Sequence, residues 1–271
     1  MRHAILVEGH GNNAEVLQET IRILDDAEID FWIHWDKRFK KPILTSYKSK
    51  LHFIKPIKNN WGADTQIIIE KKLLKAVSKK KYDYIHLISS SDIPLMTANY
   101  FKSYFKNEVY IGFFNSKNQI SDRIRYYYPT RFLNLRKDPF KLKRVIFSLV
   151  VLLQKLLRID RLKNSNYKIK KGSNWFSIKK KYIANILEFD DSIFMYSFLA
   201  DELYIQTILG NFEDSIDNKD GNCRYIDWDR GRPYVFTEKD ARELSNLINT
   251  KYSFARKVNN ANIPRKIFQD L

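Results

Sequence analysis

Asp201-Glu202, at the start of a predicted helix over residues 200–209, is the carboxylate pair best suited to acid–base chemistry. A negative side chain in a first helical turn is stabilised by the unpaired backbone N–H groups there. If Glu202 points into a cleft, it can deprotonate an attacking hydroxyl as a general base; facing water, the pair would be an ordinary helix terminus. Arg230, Arg232, Arg256 and Lys257 form a basic cluster late in the sequence. Fixed guanidinium and ammonium groups can neutralise the charge that builds on a leaving diphosphate, or they can form a solvated basic surface. The sequence has one Asp-x-Asp triplet, Asp227-Trp228-Asp229, and it falls far beyond the nucleotide-binding half. Where a metal motif is expected, after the predicted strand at 84–88, the residues are Ser89-Ser90-Ser91-Asp92. One carboxylate with three serines is a poor divalent-cation site, so no metal is expected. Trp61, Trp175, Tyr225 and Trp228 stand beside glycines or polar turns, where flat rings could pack on a sugar or a uracil, or simply fill a core.

Other chemistries lose their usual support. The chain has no Gly-x-x-x-x-Gly-Lys-Ser/Thr loop, no Gly-x-Gly-x-x-Gly, no His-Glu-x-x-His and no Gly-x-Ser-x-Gly. Gly9-His10-Gly11 follows the first strand but lacks a third glycine. The single cysteine, Cys223, excludes a disulfide framework within the chain and fits a reducing compartment.

The elements that must position these residues alternate. Apolar strands are predicted at 4–8, 31–35, 52–54 and 84–89, with helices at 14–24 and 65–79 between them. This alternation predicts an α/β fold with a Rossmann-like parallel sheet, in which ligands bind beyond the carboxyl ends of the strands. Gly9, Asp36, Trp61 and Asp92 all fall at those ends, so one site could gather them. Further strands are predicted at 172–178 and 224–228, and further helices from Lys180 and over 240–248. With 271 residues, 44% of them hydrophobic, and no Pro/Gly-rich linker, the chain reads as a single domain over 1–271. At about 139–165 it carries an insertion with an apolar run, residues 145–157, between basic flanks. That run is about half of what a membrane span needs; it suits a helix lying in a bilayer interface or one packed in the core. The apolar run at the N-terminus is too short for a signal peptide. A net charge of +17 favours polyanions: nucleic acid, anionic lipid or phosphorylated substrates.

Seven segments appear in a telling order: Ile33-His34-Trp35-Asp36-Lys37, Asn60-Trp61-Gly62-Ala63, Leu87 to Leu95 around Ser89-Ser90-Ser91-Asp92, Gly172-Ser173-Asn174-Trp175-Phe176, Asp201-Glu202, Arg224 to Trp228, and Phe254-Ala255-Arg256-Lys257. The series resembles the core-2/I-branching β-1,6-N-acetylglucosaminyltransferase family, which includes the peptide O-xylosyltransferases, over about residues 3–258. The resemblance implies a GT-A-type fold with a mixed central sheet flanked by helices. It also implies metal-independent inverting transfer from a UDP-sugar, with N-acetylglucosamine the expected sugar, to a hydroxyl of a glycan or lipid-linked glycan. Carried over by position, Glu202 is the base and Lys257 contacts the donor diphosphate with Arg232 or Arg230. Asp36 lies near the nucleoside, with Gly9 in the same donor site. Trp61, Trp175, Tyr225 and Asp227 line the acceptor side, where Asp227 departs from the family's aromatic pattern. The family's usual disulfides are absent, which implies a bacterial-type cytoplasmic member; the net charge and the apolar run at 145–157 together suggest work at an anionic inner membrane face on a lipid-linked glycan, in surface polysaccharide or glycolipid assembly. A basic nucleic-acid-binding protein and an inactive glycan-binding relative are the alternatives; no motif supports specific nucleic-acid recognition.

Overall fold

The computed structural model describes residues 1–114, 121–133, 142–163, 165–215 and 221–269; residues 139–141 and 164 of the predicted insertion lie outside them. In chain order the described elements are β1 (His3–Gly9), α1 (Glu15–Ile23), β2 (Ile29–Trp35), β3 (Leu51–Phe53), α2 (Thr65–Ser78), β4 (Tyr84–Ser89), β5 (Ile93–Pro94) and α3 (Ala98–Tyr104). There follow β6 (Val109–Tyr110), α4 (Asp122–Arg125), α5 (Leu142–Leu156), β7 (Ser177–Lys179), α6 (Ile183–Glu188), α7 (Asp201–Ile208), β8 (Arg224–Ile226), α8 (Ala241–Ser245), β9 (Phe254–Arg256) and α9 (Asn262–Ile267).

β1, β2 and β4 are buried along their whole length. Strands covered on both faces read as nearly continuous apolar runs, which is why these three are plain in the sequence. They are parallel, with β1 between the other two and β3 parallel beyond β2. The six-stranded sheet runs β3-β2-β1-β4-β7-β6. Only β7 breaks the parallel pattern: it is antiparallel to both β4 and β6, so β6 at the edge runs in the same direction as the first four strands. The sheet is therefore mixed. Alternate residues of β1 feed opposite faces: Ala4 and Leu6 pack with Ile67, Leu73 and Leu203 of α2 and α7, while Ile5 and Val7 pack with Leu17 and Phe101 of α1 and α3.

Two predicted strands are shorter than their apolar patterns suggest. Residues 172–176 are not strand because their backbone is bonded to α7 instead: Gly172 N donates to Glu202 O at 2.9 Å, and Gln206 Nε2 donates to Ser173 O at 2.6 Å. β8 stops at Ile226 because the Asp227 carboxylate caps a turn, accepting from the backbone N–H groups of Asp229 and Arg230 at 2.8 Å each.

β8 belongs to a second sheet, β5-β9-β8, with its own apolar cluster under α8 and α9. Arg224 fastens this sheet to the larger one. It is buried, and its guanidinium donates to the carbonyls of Asn222 (2.7 Å) and Phe176 (2.8 Å) and to the hydroxyls of Ser253 (2.8 Å) and Ser177 (3.1 Å). Removing the donors would strand these acceptors away from water. Arg224→Met is therefore expected to lower stability by about 3 kcal/mol, read as a shift of the urea denaturation midpoint. An unmoved midpoint would mean that the remaining contacts between the two sheets, Arg256–Asp92 among them, hold them together without Arg224.

Candidate active site at the strand ends

The register sets Gly9 beside Trp35 and Glu8 beside Ser89, so the loops after β1, β2 and β4 open side by side. Gly9 is needed for space, because a Cβ there would lie 2.1 Å from the Trp35 ring. Its carbonyl accepts from Asp36 N at 2.9 Å. The Asp36 carboxylate is buried and taken up by Arg38, whose Nη2 lies 2.5 Å away, and by Asn59 N at 3.3 Å. Burial alone would raise its pKa, but the Arg38 hydrogen bonds outweigh that and hold it below the ordinary carboxylate range. Asp36 thus braces the loop at 57–60 beside the ends of β1 and β2.

After β4, the Asp92 side chain folds back on its own turn, accepting from Ser89 N (2.7 Å) and Ser89 Oγ (2.9 Å). Arg256, the last residue of β9, reaches it at 3.5 Å and lies 4.0 Å over the ring of Trp175. Trp175 is only 8% exposed, so it supports Arg256 and offers little open face. The next residue, Lys257, is half-buried at the rim, held where Val258 N donates to Ser91 O at 2.9 Å. Asp92 is therefore paired with a guanidinium inside the turn after β4.

The remaining basic residues divide. Arg232 is exposed. Arg230 is engaged by the carboxylates of Asp227, Asp240 (3.0 Å) and Glu243 (2.7 Å). Tyr225 donates its hydroxyl to the same Glu243 at 2.6 Å and stacks against Phe236. Tyr225, Asp227 and Arg230 are thus gathered with one another into a corner that shapes the segment leading to Arg232.

Glu202 lies in the first turn of α7, 33% exposed, with Oε2 accepting from Arg123 Nη1 at 2.6 Å and in an ion pair with Lys171 Nζ at 3.7 Å. Gly172, beside Lys171, allows this close packing, since a Cβ there would meet the Gly112 carbonyl oxygen at 1.7 Å. Trp61, 39% exposed, stands with its ring against Phe198, and its neighbour Gly62 accepts from Leu199 N at 2.8 Å. The loop carrying Trp61 is therefore tied to the segment that leads into Glu202. Arg123 and Lys171 escaped the sequence reading. Arg123 comes from a four-residue helix with no pattern of its own; Lys171, directly before Gly172-Ser173-Asn174-Trp175, could have been noticed by position.

Behind Glu202 lie three buried carboxyl groups, Glu8 of β1, Glu70 of α2 and Asp201 of α7. Burial, then the field of Asp201, pushes Glu8 up to about 8; burial, then the charge of Glu202, pushes Asp201 up to about 7. Glu70 is raised for the same reasons, by burial and by its two acidic neighbours. Glu70 Oε1 and Asp201 Oδ1 have no hydrogen-bond partner among the described residues, consistent with carboxyls held neutral by desolvation. A carboxyl whose pKa is raised by folding stabilises the fold fully below its ordinary value, and that contribution is lost as pH rises through the folded value. The melting temperature is therefore expected to fall between about pH 4.5 and pH 8, and Glu8→Gln should flatten that fall. A melting temperature constant across the window would mean that these groups ionise without penalty.

A family model described as Branch, Core-2/I-Branching enzyme, matches residues 4–247. A search of curated proteins gave no match. The matched span holds Gly9, Asp36, Trp61, Asp92, Trp175 and Glu202, and it stops short of Arg256 and Lys257. The mixed sheet flanked by helices is consistent with the GT-A-like fold of that family. With the match covering most of its length, the chain belongs to the core-2/I-branching enzyme family and is a glycosyltransferase, using a nucleotide-sugar donor and a glycan acceptor.

Proposed function

We propose that this glycosyltransferase works by inverting, single-displacement transfer from a UDP-sugar, with UDP-N-acetylglucosamine the first donor to try, and that it needs no divalent metal. The observation that carries the reading is the placement of Glu202. It is a partly exposed carboxylate in a first helical turn, held in one orientation by Arg123 and Lys171 beside the cleft at the strand ends. Glu202 takes the proton of the acceptor hydroxyl as that oxygen attacks the anomeric carbon of the donor sugar. The bond from that carbon to the diphosphate breaks on the opposite face, its electron pair leaves with UDP, and the configuration inverts. Charge on the departing diphosphate is met by Lys257 and Arg232 at the rim, with Arg256 beneath them. Trp61 offers the acceptor sugar an exposed aromatic face.

The basic cluster supports metal-independent charge neutralisation, because fixed cations aimed at a leaving group act without reorganising during the reaction. Arg230 is the weaker member of the proposed clamp, since three carboxylates already compensate it.

Turnover by Glu202→Gln is expected to fall by about 10³-fold with donor affinity nearly unchanged. Lys257→Ala should weaken donor binding and turnover together. Both are read by UDP release and by titration with UDP, in EDTA, over a panel of UDP-sugars. Wild-type turnover in Glu202→Gln would remove it as the base, and activity silent in EDTA but restored by manganese would overturn the metal-independent reading.

A further inference from the structure

α5 is attached to the molecule by the wrong face for a core helix. Its inward residues are Phe147, packed on Tyr128 and Phe198 with ring centroids 5.9 and 6.1 Å away, and Gln154, whose side chain bonds the backbone N–H and C=O of Tyr127 at 2.8 and 2.9 Å. These two are its only buried side chains. Leu142, Val145, Leu149, Leu152, Leu153 and Leu156 recur at helical spacing on the opposite side, each more than half exposed. A contiguous apolar stripe of this kind on a folded surface calls for a covering partner.

Charge decides which partner. α5 contains no acidic residue, and Arg144 and Lys155 flank its apolar stripe while Arg158 follows it, all three exposed. Two copies placed stripe to stripe would bring like charges together with no carboxylate on either helix to offset them, in a chain of net charge +17. An anionic lipid surface supplies both an apolar interior for the leucines and a negative layer for the flanks. At 15 residues the helix is about 22 Å long, and no helix among the described residues is long and apolar enough to cross a membrane. It can lie in a bilayer without spanning it.

We infer that α5 is an in-plane membrane anchor that seats the enzyme on an anionic leaflet with the Glu202 side of its cleft toward the lipid. The anchor joins the site through few steps. Phe147 packs on Phe198, Phe198 N donates to the carbonyl of Arg123 at 2.9 Å, and the Arg123 side chain holds Glu202. The acceptor class that fits is a glycan on a lipid carrier, delivered at the membrane surface. The acceptor class rests on the reading of Glu202 as the base; the membrane contact stands without it.

The test uses the full chain and vesicles of phosphatidylcholine, either alone or with about a third replaced by phosphatidylglycerol. The protein is expected to co-sediment with the anionic vesicles only, and less as salt is raised. Leu149→Glu with Leu153→Glu should lower the bound-to-free ratio at least about tenfold, with the circular dichroism spectrum and melting temperature unchanged. Lys155→Glu with Arg158→Glu should weaken binding without touching the leucines. Glu202→Gln should bind vesicles as the wild type does, so failure of the catalytic reading and failure of this one stay separate. The inference is overturned by absence of vesicle binding, or by a leucine variant that sediments like the wild type, which would assign binding to the general basic surface. A wild-type dimer that dissociates in the leucine variant and ignores vesicles would also overturn it, making the stripe a self-interface.

Discussion

Two arginines of the small sheet, Arg224 and Arg256, are buried where it meets the larger one, and a buried guanidinium is costly unless most of its donors are met. Arg224 meets its two terminal nitrogens with neutral acceptors, the Phe176 carbonyl and Ser177 hydroxyl at β7 and the Ser253 hydroxyl before β9, while its Nε has no hydrogen-bond partner among the described residues. Burial still lowers its pKa to about 10. Arg256 solves it differently, with the Asp92 carboxylate at one edge and the Trp175 ring below. These pairings fix how β9 sits against the turn after β4. Once Arg256 is placed, Lys257 has to emerge at the rim of the cleft. The cationic wall of the site is thus a consequence of how the two sheets are fastened together.

The acidic side obeys the same constraint by a different route. Three carboxyls cannot be ionised together in a dry interior, and the described cations near them, Arg256 chief among them, answer Asp92 first. Protonation relieves the conflict. It also leaves Glu202, partly exposed, without a full second negative charge immediately behind it. Arg123 and Lys171 pair with Glu202 and fix its direction, and the field of Arg123 also partly offsets the rise at Asp201.

Legibility followed burial and locality. β1, β2 and β4 were readable because strands buried on both faces leave an unbroken apolar record, and their carboxyl ends correctly located the loops that meet. β5 and β6 are two residues each, too short for any period to show. The antiparallel setting of β7 depends on partners far away in sequence. Glu202 was readable from its place at a helix start, but its cationic partners come from a four-residue helix and an irregular segment. The basic tail cluster was legible as composition alone: Arg230 and Arg256 lie within one stretch, yet three carboxylates neutralise the first and the second is buried beneath the cleft. Charge in a sequence does not reveal which charges are already answered.

The family match ends at residue 247, yet the fold does not. β9, beyond that point, is the central strand of the small sheet, paired with β5 on one side and β8 on the other. Without it, β5 and β8 would have no common neighbour, and Asp92 would lose the ion pair with Arg256. α9 adds a second tie, since Arg265 donates to Glu19 of α1 at 2.8 Å. The residues past the match therefore complete both the sheet and the charge balance of the site. A segment can be weakly patterned in sequence and still be fixed by the chemistry around it, here by one buried aspartate that requires a positive partner.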